Sequence, residues 1–149
     1  MQEAFDAAEF DKGEFQNVFA THQQCSRMIS DRRIRGVKFT GSTASGKRVA
    51  VECAQNIKQT NLELGGNDPF VVLKDADMEK AVDAAFTSRM LNNGQACMNA
   101  KRFIITSVVY DEFRDRLIEK IKQSTVMGDP MDTRTNLGPL ASLNQKYIL

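Results

Sequence analysis

Cys97 ends the run Asn92-Asn93-Gly94-Gln95-Ala96-Cys97, and a thiol presented this way can serve as a nucleophile. Asn and Gly tolerate positive φ and stop a helix, so the run should close the helix before it and leave the sulfur in a tight loop. A lone cysteine also suits a second role, that of a small buried hydrophobe, and spacing alone leaves both open. Glu63, between Leu62 and Leu64, poses a similar choice. It is either the outward residue of an alternating strand or an acid among apolar neighbours, where burial favours general-base duty. The third chemical stretch is Gly41-Ser42-Thr43-Ala44-Ser45-Gly46. A glycine-rich turn between strand and helix aims backbone N–H groups and the positive end of a helix dipole at an anion, usually a nucleotide phosphate.

Two sharper versions of that turn compete. Gly41 to Lys47 satisfies the G-x-x-x-x-G-K part of a P-loop, but Arg48 stands where Ser or Thr must reach Mg²⁺. The G-x-G-x-x-G fingerprint is broken, because Ser42-Thr43 replaces its x-G. Anion binding at a helix start survives both tests.

Several elements must position these groups. Met78, Ala81, Val82, Ala85, Phe86 and Met90 recur at one-face helical offsets behind a capping Asp77, which predicts a helix over residues 77–91. Gly36-Val37-Lys38-Phe39-Thr40 alternates as a strand, and Gly46, Val49, Ala50, Cys53 and Ala54 line one face of the helix after it. Cys53 is therefore a predicted core residue. Upstream, residues 3–10 read as the end of a helix and 15–20 as a strand. Thr21 caps a short helix over 22–29, with Cys25 and Ile29 turned inward and His22 solvated in its first turn. Residues 58–64 extend, Gly65-Gly66 interrupt, and Pro69-Phe70-Val71-Val72-Leu73 suits a buried strand. Past Cys97, residues 102–109 read as a strand, Asp111 caps a helix bearing Phe113, Leu117, Ile118 and Ile121, and 127–140 is a loop.

Composition narrows the partners. Twenty Lys and Arg against nineteen Asp and Glu give a net charge of +1, so no basic field draws in nucleic acid or anionic lipid. No apolar run reaches the ~18 residues of a membrane span, and the start lacks the regions of a secretory signal, so a cytoplasmic protein is expected. Three cysteines and the single His22 offer no disulfide framework and no metal site at usual ligand spacing. A chain of 149 residues would bury roughly 70% of its unfolded surface if it closed on itself.

Three segments, taken together, resemble the NAD(P)-dependent aldehyde dehydrogenases: Phe39-Thr40-Gly41-Ser42-Thr43 through Gly46, Leu62-Glu63-Leu64-Gly65-Gly66 with Pro69 after it, and Asn93-Gly94-Gln95-Ala96-Cys97. Gly138-Pro139-Leu140 matches downstream, so the resemblance covers nearly the whole chain. The Asn93 spelling and Lys101-Arg102-Phe103 look most like the succinate-semialdehyde branch. The resemblance implies Cys97 as nucleophile, Glu63 as general base, and Gly41, Ser42, Gly46 and Leu64 against an NAD or NADP cofactor, with no metal. It implies an α/β fold made of parts of two domains, residues 1–62 from the end of a Rossmann-like cofactor domain and 63–149 from the start of the catalytic domain. A small aldehyde is the implied substrate, and a homo-oligomer the full-length form.

The chain also departs from the family. Family enzymes are roughly three times as long, and the segments carrying the oxyanion asparagine, the ribose contacts and the oligomerisation strand have no counterpart here. A partial reading frame with exposed strand edges, inactive alone, is therefore expected. Two other functions stand beside this one: a P-loop-like nucleotide-binding protein using Gly41 to Lys47, and a structural remnant that pairs with a longer homologue.

Overall fold

The computed structural model describes residues 1–148 and divides into two compact units, Met1–Leu64 and Gly65–Leu149. In the first, α1 (Gln2–Ala7) and α2 (His22–Ser30) precede a β-α-β segment of β1 (Gly36–Thr40), α3 (Thr43–Gln55) and β2 (Gln59–Glu63). The two strands pair in parallel, with Gly36 opposite Gln59 and Thr40 opposite Glu63. Alternation decides the faces. Val37, Phe39, Thr60 and Leu62 are half-buried, whereas Lys38, Thr40, Asn61 and Glu63 are exposed. Thr21 caps α2 through a full capping box with Gln24, and Ser42 caps α3, as hydroxyl-bearing residues at those positions should. Cys53 is fully buried.

The second unit pairs β3 (Asp68–Val72) with β4 (Ala100–Ile105), again in parallel, and packs α4 (Met78–Met90) and α5 (Ser107–Ser124) on one face. Val72, Val82, Ala85 and Phe113 form its core, with the tilted rings of Phe70 and Phe103 5.4 Å apart beside them. The turn Leu91–Gly94 ends α4, and a short helix, α6 (Leu143–Ile148), follows an irregular segment. The mixed helix-and-strand architecture is the α/β class expected. Among the described residues no helix is long and apolar enough to cross a membrane.

Three expectations need correction. Residues 15–20 form no strand, and Phe19 is 99% exposed; an extended segment with no ladder partner leaves its N–H and C=O groups to water. Cys25 is exposed, and only Ile29 of the α2 pair is buried. The α5 helix starts at Ser107, and Asp111 lies inside it, paired with Arg114 at 2.7 Å, rather than capping it. The cause is the length of β3. Val72 pairs with Ile105 as the last rung, so β4 has nothing to bond beyond that point, and Thr106 closes the strand by donating its N–H and its hydroxyl to the Val72 carbonyl.

Candidate active site

Asn92 and Asn93 hold φ of 52° and 57°, and Gly94 holds 72°. This left-handed run breaks α4, as residue types that tolerate positive φ allow, and the backbone emerges in a turn with Cys97 exposed on it. A thiol in that position can meet a substrate, whereas Cys53 cannot.

Asn99 anchors the turn. It is fully buried, and its Nδ2 donates to the carbonyls of Arg89 at 2.8 Å and Leu91 at 2.9 Å, two acceptors freed by the end of α4. Its Oδ1 finds no partner among the described residues. Ala100 N donates to Ser88 Oγ at 3.1 Å, and Asn99 N to the Ala96 carbonyl at 3.2 Å. The loop before β3 presses in as well: a Cβ on Gly66 would stand 3.0 Å from the Cys97 carbonyl oxygen, tighter than most real contacts, so glycine suits that place.

From the far side the turn is bound to the segment after α5. Asn93 accepts from Gly138 N at 3.1 Å and donates to the Pro139 carbonyl at 3.4 Å, and Gln95 accepts from Ala141 N at 2.8 Å. The Asn-Gly-Gln spelling therefore does two jobs. Its backbone turns the chain, and its side chains hold the Gly138-Pro139-Leu140 segment. Reasoning from sequence missed the roles of Asn93 and Gln95 side chains and of Asn99; the one signal for Asn99 was a polar residue leading into an apolar strand.

In the unit Met1–Leu64, the glycine-rich turn leads from β1 into α3. Ser42 Oγ accepts from Ser45 N at 3.2 Å, which leaves the Thr43 and Ala44 N–H groups of the first turn free to meet an anion. Gly41 sits under the Phe39 ring, where a Cβ would come within 2.6 Å, and its N–H donates to the Glu63 carbonyl at 3.0 Å. The turn thus fixes the backbone at Glu63. Gly46 is buried, and a Cβ there would meet Leu64 Cδ2 at 2.5 Å, so this pair brings α3 down onto the end of β2. The Glu63 side chain takes the outward place of the alternating strand and is exposed.

A groove of about 620 Å³ opens beside that helix start. Ile29, Val37, Phe39 and Val49 give it apolar walls, and Ser26, Ser45, Arg48 and Glu52 bring polar groups to them. Cys25 lines the same groove, which accounts for its exposure. Apolar walls beside a helix start with free N–H groups suit a nucleotide, whose flat base and anionic phosphate need one of each. Among the described residues no cluster of three His, Cys, Asp or Glu side chains is placed to hold a metal ion.

Comparisons with known proteins cover nearly the whole chain. The family model described as "Aldehyde dehydrogenase family" matches residues 1–147. A succinate-semialdehyde dehydrogenase [NADP(+)] of Mycobacterium avium is 44% identical over 133 residues, which cover 89% of this chain and 28% of that protein. Among solved structures, succinic semialdehyde dehydrogenase from Streptococcus pyogenes in complex with NADP+ superposes with a TM-score of 0.90 at 39% identity, over 99% of this chain and 32% of its own. Betaine aldehyde dehydrogenase from Staphylococcus aureus in complex with NAD+ gives 0.88 at 28% identity, over 98% and 29%. The chain spans less than a third of the length of these relatives.

Proposed function

The chain belongs to the aldehyde dehydrogenase family, and from that premise we propose that it carries the nucleophile, the general base and the phosphate-binding turn of an enzyme oxidising an aldehyde to a carboxylic acid. The substrate class is a short semialdehyde such as succinate semialdehyde, in keeping with the names of its relatives. The observation that carries the proposal is Cys97, exposed on a turn fastened at three points.

The chemistry follows from the residue types. The Cys97 thiolate adds to the carbonyl carbon; an S–C bond forms and the π pair moves to oxygen, giving a tetrahedral oxyanion. The Cys97 backbone N–H can donate to that oxyanion, worth about 3 kcal/mol per donor in acyl-transfer sites. When the C=O bond re-forms, the carbon expels its hydrogen with the electron pair and Cys97 carries a thioester. NAD(P)+ supplies the acceptor for that hydride. Glu63 then takes a proton from water, the water oxygen attacks the thioester, and the S–C bond breaks to release the acid and restore the thiolate. Thr43 and Ala44 N–H groups and the groove beside α3 are the residues suited to hold the cofactor's phosphate and base. Residues 1–62 are read as cofactor-domain structure and residues 63–149 as catalytic-domain structure. Three free thiols suit a reducing compartment such as the cytoplasm, and a homo-oligomer is the assembly this reading includes.

The test is reduction of NADP+ by succinate semialdehyde in the enzyme that carries this sequence. Cys97→Ala should abolish it, by at least about a thousand-fold. Glu63→Gln should keep a stoichiometric burst of reduced cofactor and lose turnover. Retained activity in Cys97→Ala would overturn the nucleophile, and loss of the burst in Glu63→Gln would overturn the deacylation role.

A further inference from the structure

Lys101 makes an unusual set of contacts for an exposed lysine. Its Nζ donates to the Cys97 carbonyl at 2.7 Å, to the Asn99 carbonyl at 3.1 Å and to the Ala96 carbonyl at 3.5 Å. Three carbonyl oxygens of one turn therefore converge on a single ammonium, whose three N–H bonds match them in number. We propose that Lys101 is a positioning residue for Cys97, a cationic staple that gathers the carbonyls of the thiol's turn and keeps a positive charge beside the sulfur. This inference rests on Cys97 being the nucleophile and adds to it the group that prepares it.

Two consequences follow from the geometry. In a trans peptide the C=O and the next N–H point in opposite directions, and the chain has no cis bond among the described residues. Turning the Ala96 carbonyl toward Lys101 therefore aims the Cys97 N–H away from the ammonium. Covalent geometry also places Nζ within roughly 8 Å of the sulfur, comparable to the ~8 Å screening length at physiological salt. A charge held at that range acts on the negative charge that the attacking sulfur carries.

The other charged side chains around the turn are arranged differently. Arg89 reaches the Gly94 carbonyl at 3.4 Å and Arg102 the Asn67 carbonyl at 3.0 Å. Asp68, whose Oδ2 lies 3.1 Å from where a Gly66 Cβ would stand, brings the opposing charge. Lys101 alone of these bonds the carbonyl of Cys97 itself. Asn99 completes the staple, since its carbonyl accepts from Lys101 while its side chain grips the end of α4.

The 149-residue chain contains its own control. Iodoacetamide, an uncharged reagent, alkylates sulfur with loss of iodide, and peptide mass spectrometry reads Cys97 against Cys25, which is exposed as well. Lys101→Met should lower the Cys97-to-Cys25 rate ratio roughly two- to five-fold, the range that exposed opposite charges give, while Lys101→Arg retains it. In the unaltered chain, raising salt from about 20 mM to about 1 M should lower the same ratio, which tests the charge even where a variant folds poorly. A ratio unchanged by Lys101→Met, or insensitive to salt, overturns the proposal. Neither readout needs aldehyde or cofactor, so failure of the dehydrogenase assay with Cys97→Ala and failure of the staple are separate results.

Discussion

Gly94 shows how one residue type serves the site. It holds φ at +72°, and a side chain there would press on the Arg89 carbonyl at 3.3 Å, so alanine meets both backbone strain and a close oxygen. Gly94→Ala should destabilise the unit Gly65–Leu149 by about 1–3 kcal/mol, read as a lower denaturation midpoint. The positive φ of Asn92, Asn93 and Gly94 was legible in the sequence, because it depends on each residue's own sterics. The exposure of Cys25 was not. Helical spacing put it on the inward face of α2 with Ile29, but only Ile29 is covered, since the groove beside α3 opens at the position of Cys25. Glu63 was left between two environments, and its own strand gives it the outward one.

At the scale of elements, α4 is what holds the thiol's turn, and its start is an ionic one. Asp77 accepts from Lys80 N at 3.2 Å and faces Lys80 Nζ at 2.9 Å. The Lys80 side chain first, and its backbone N–H second, hold the Asp77 carboxyl below the usual carboxylate range. A lowered folded value means the stabilisation is fully present above the unfolded value of about 3.9 and is lost as pH falls through the folded one. Thermal melting followed by circular dichroism should therefore show a loss as pH drops below about 4. Asp77→Asn keeps a capping oxygen without the charge and should flatten that part of the profile. Most elements were readable in advance, since β1, α2, α3 and α4 carry caps and periods written locally. The misplacement of the β4 and α5 boundary was not avoidable that way, because β4 stops where β3 stops, and nothing near residue 106 encodes that.

At the scale of the whole molecule, the described chain exposes 11894 Å², against about 7,600 Å² for a self-contained protein of its mass. The roughly 70% burial of a chain closed on itself is not reached, and the strand edges stay open. Each sheet has two strands, a size that is marginal by itself in water. On β3 and β4 the paired residues Val71 and Ile104 are 57% and 49% exposed, an apolar row on the face opposite the core. Val71→Lys with Ile104→Lys should reduce concentration-dependent association, measured by sedimentation, without lowering the melting temperature, because neither side chain belongs to the buried cluster.

The order of the three motifs, the helix-stopping turn before Cys97 and the alternation of β1 came from the sequence alone. Each depends on residues a few positions apart, where sterics and periodicity act. Only the tertiary structure could bring Asn99 and Lys101 to the carbonyls around Cys97, bind Asn93 to Gly138, and leave Phe19 and Cys25 in solvent. Those outcomes depend on which distant segments arrive to cover a face or accept a hydrogen bond, and burial is a property of the neighbours a residue acquires in space.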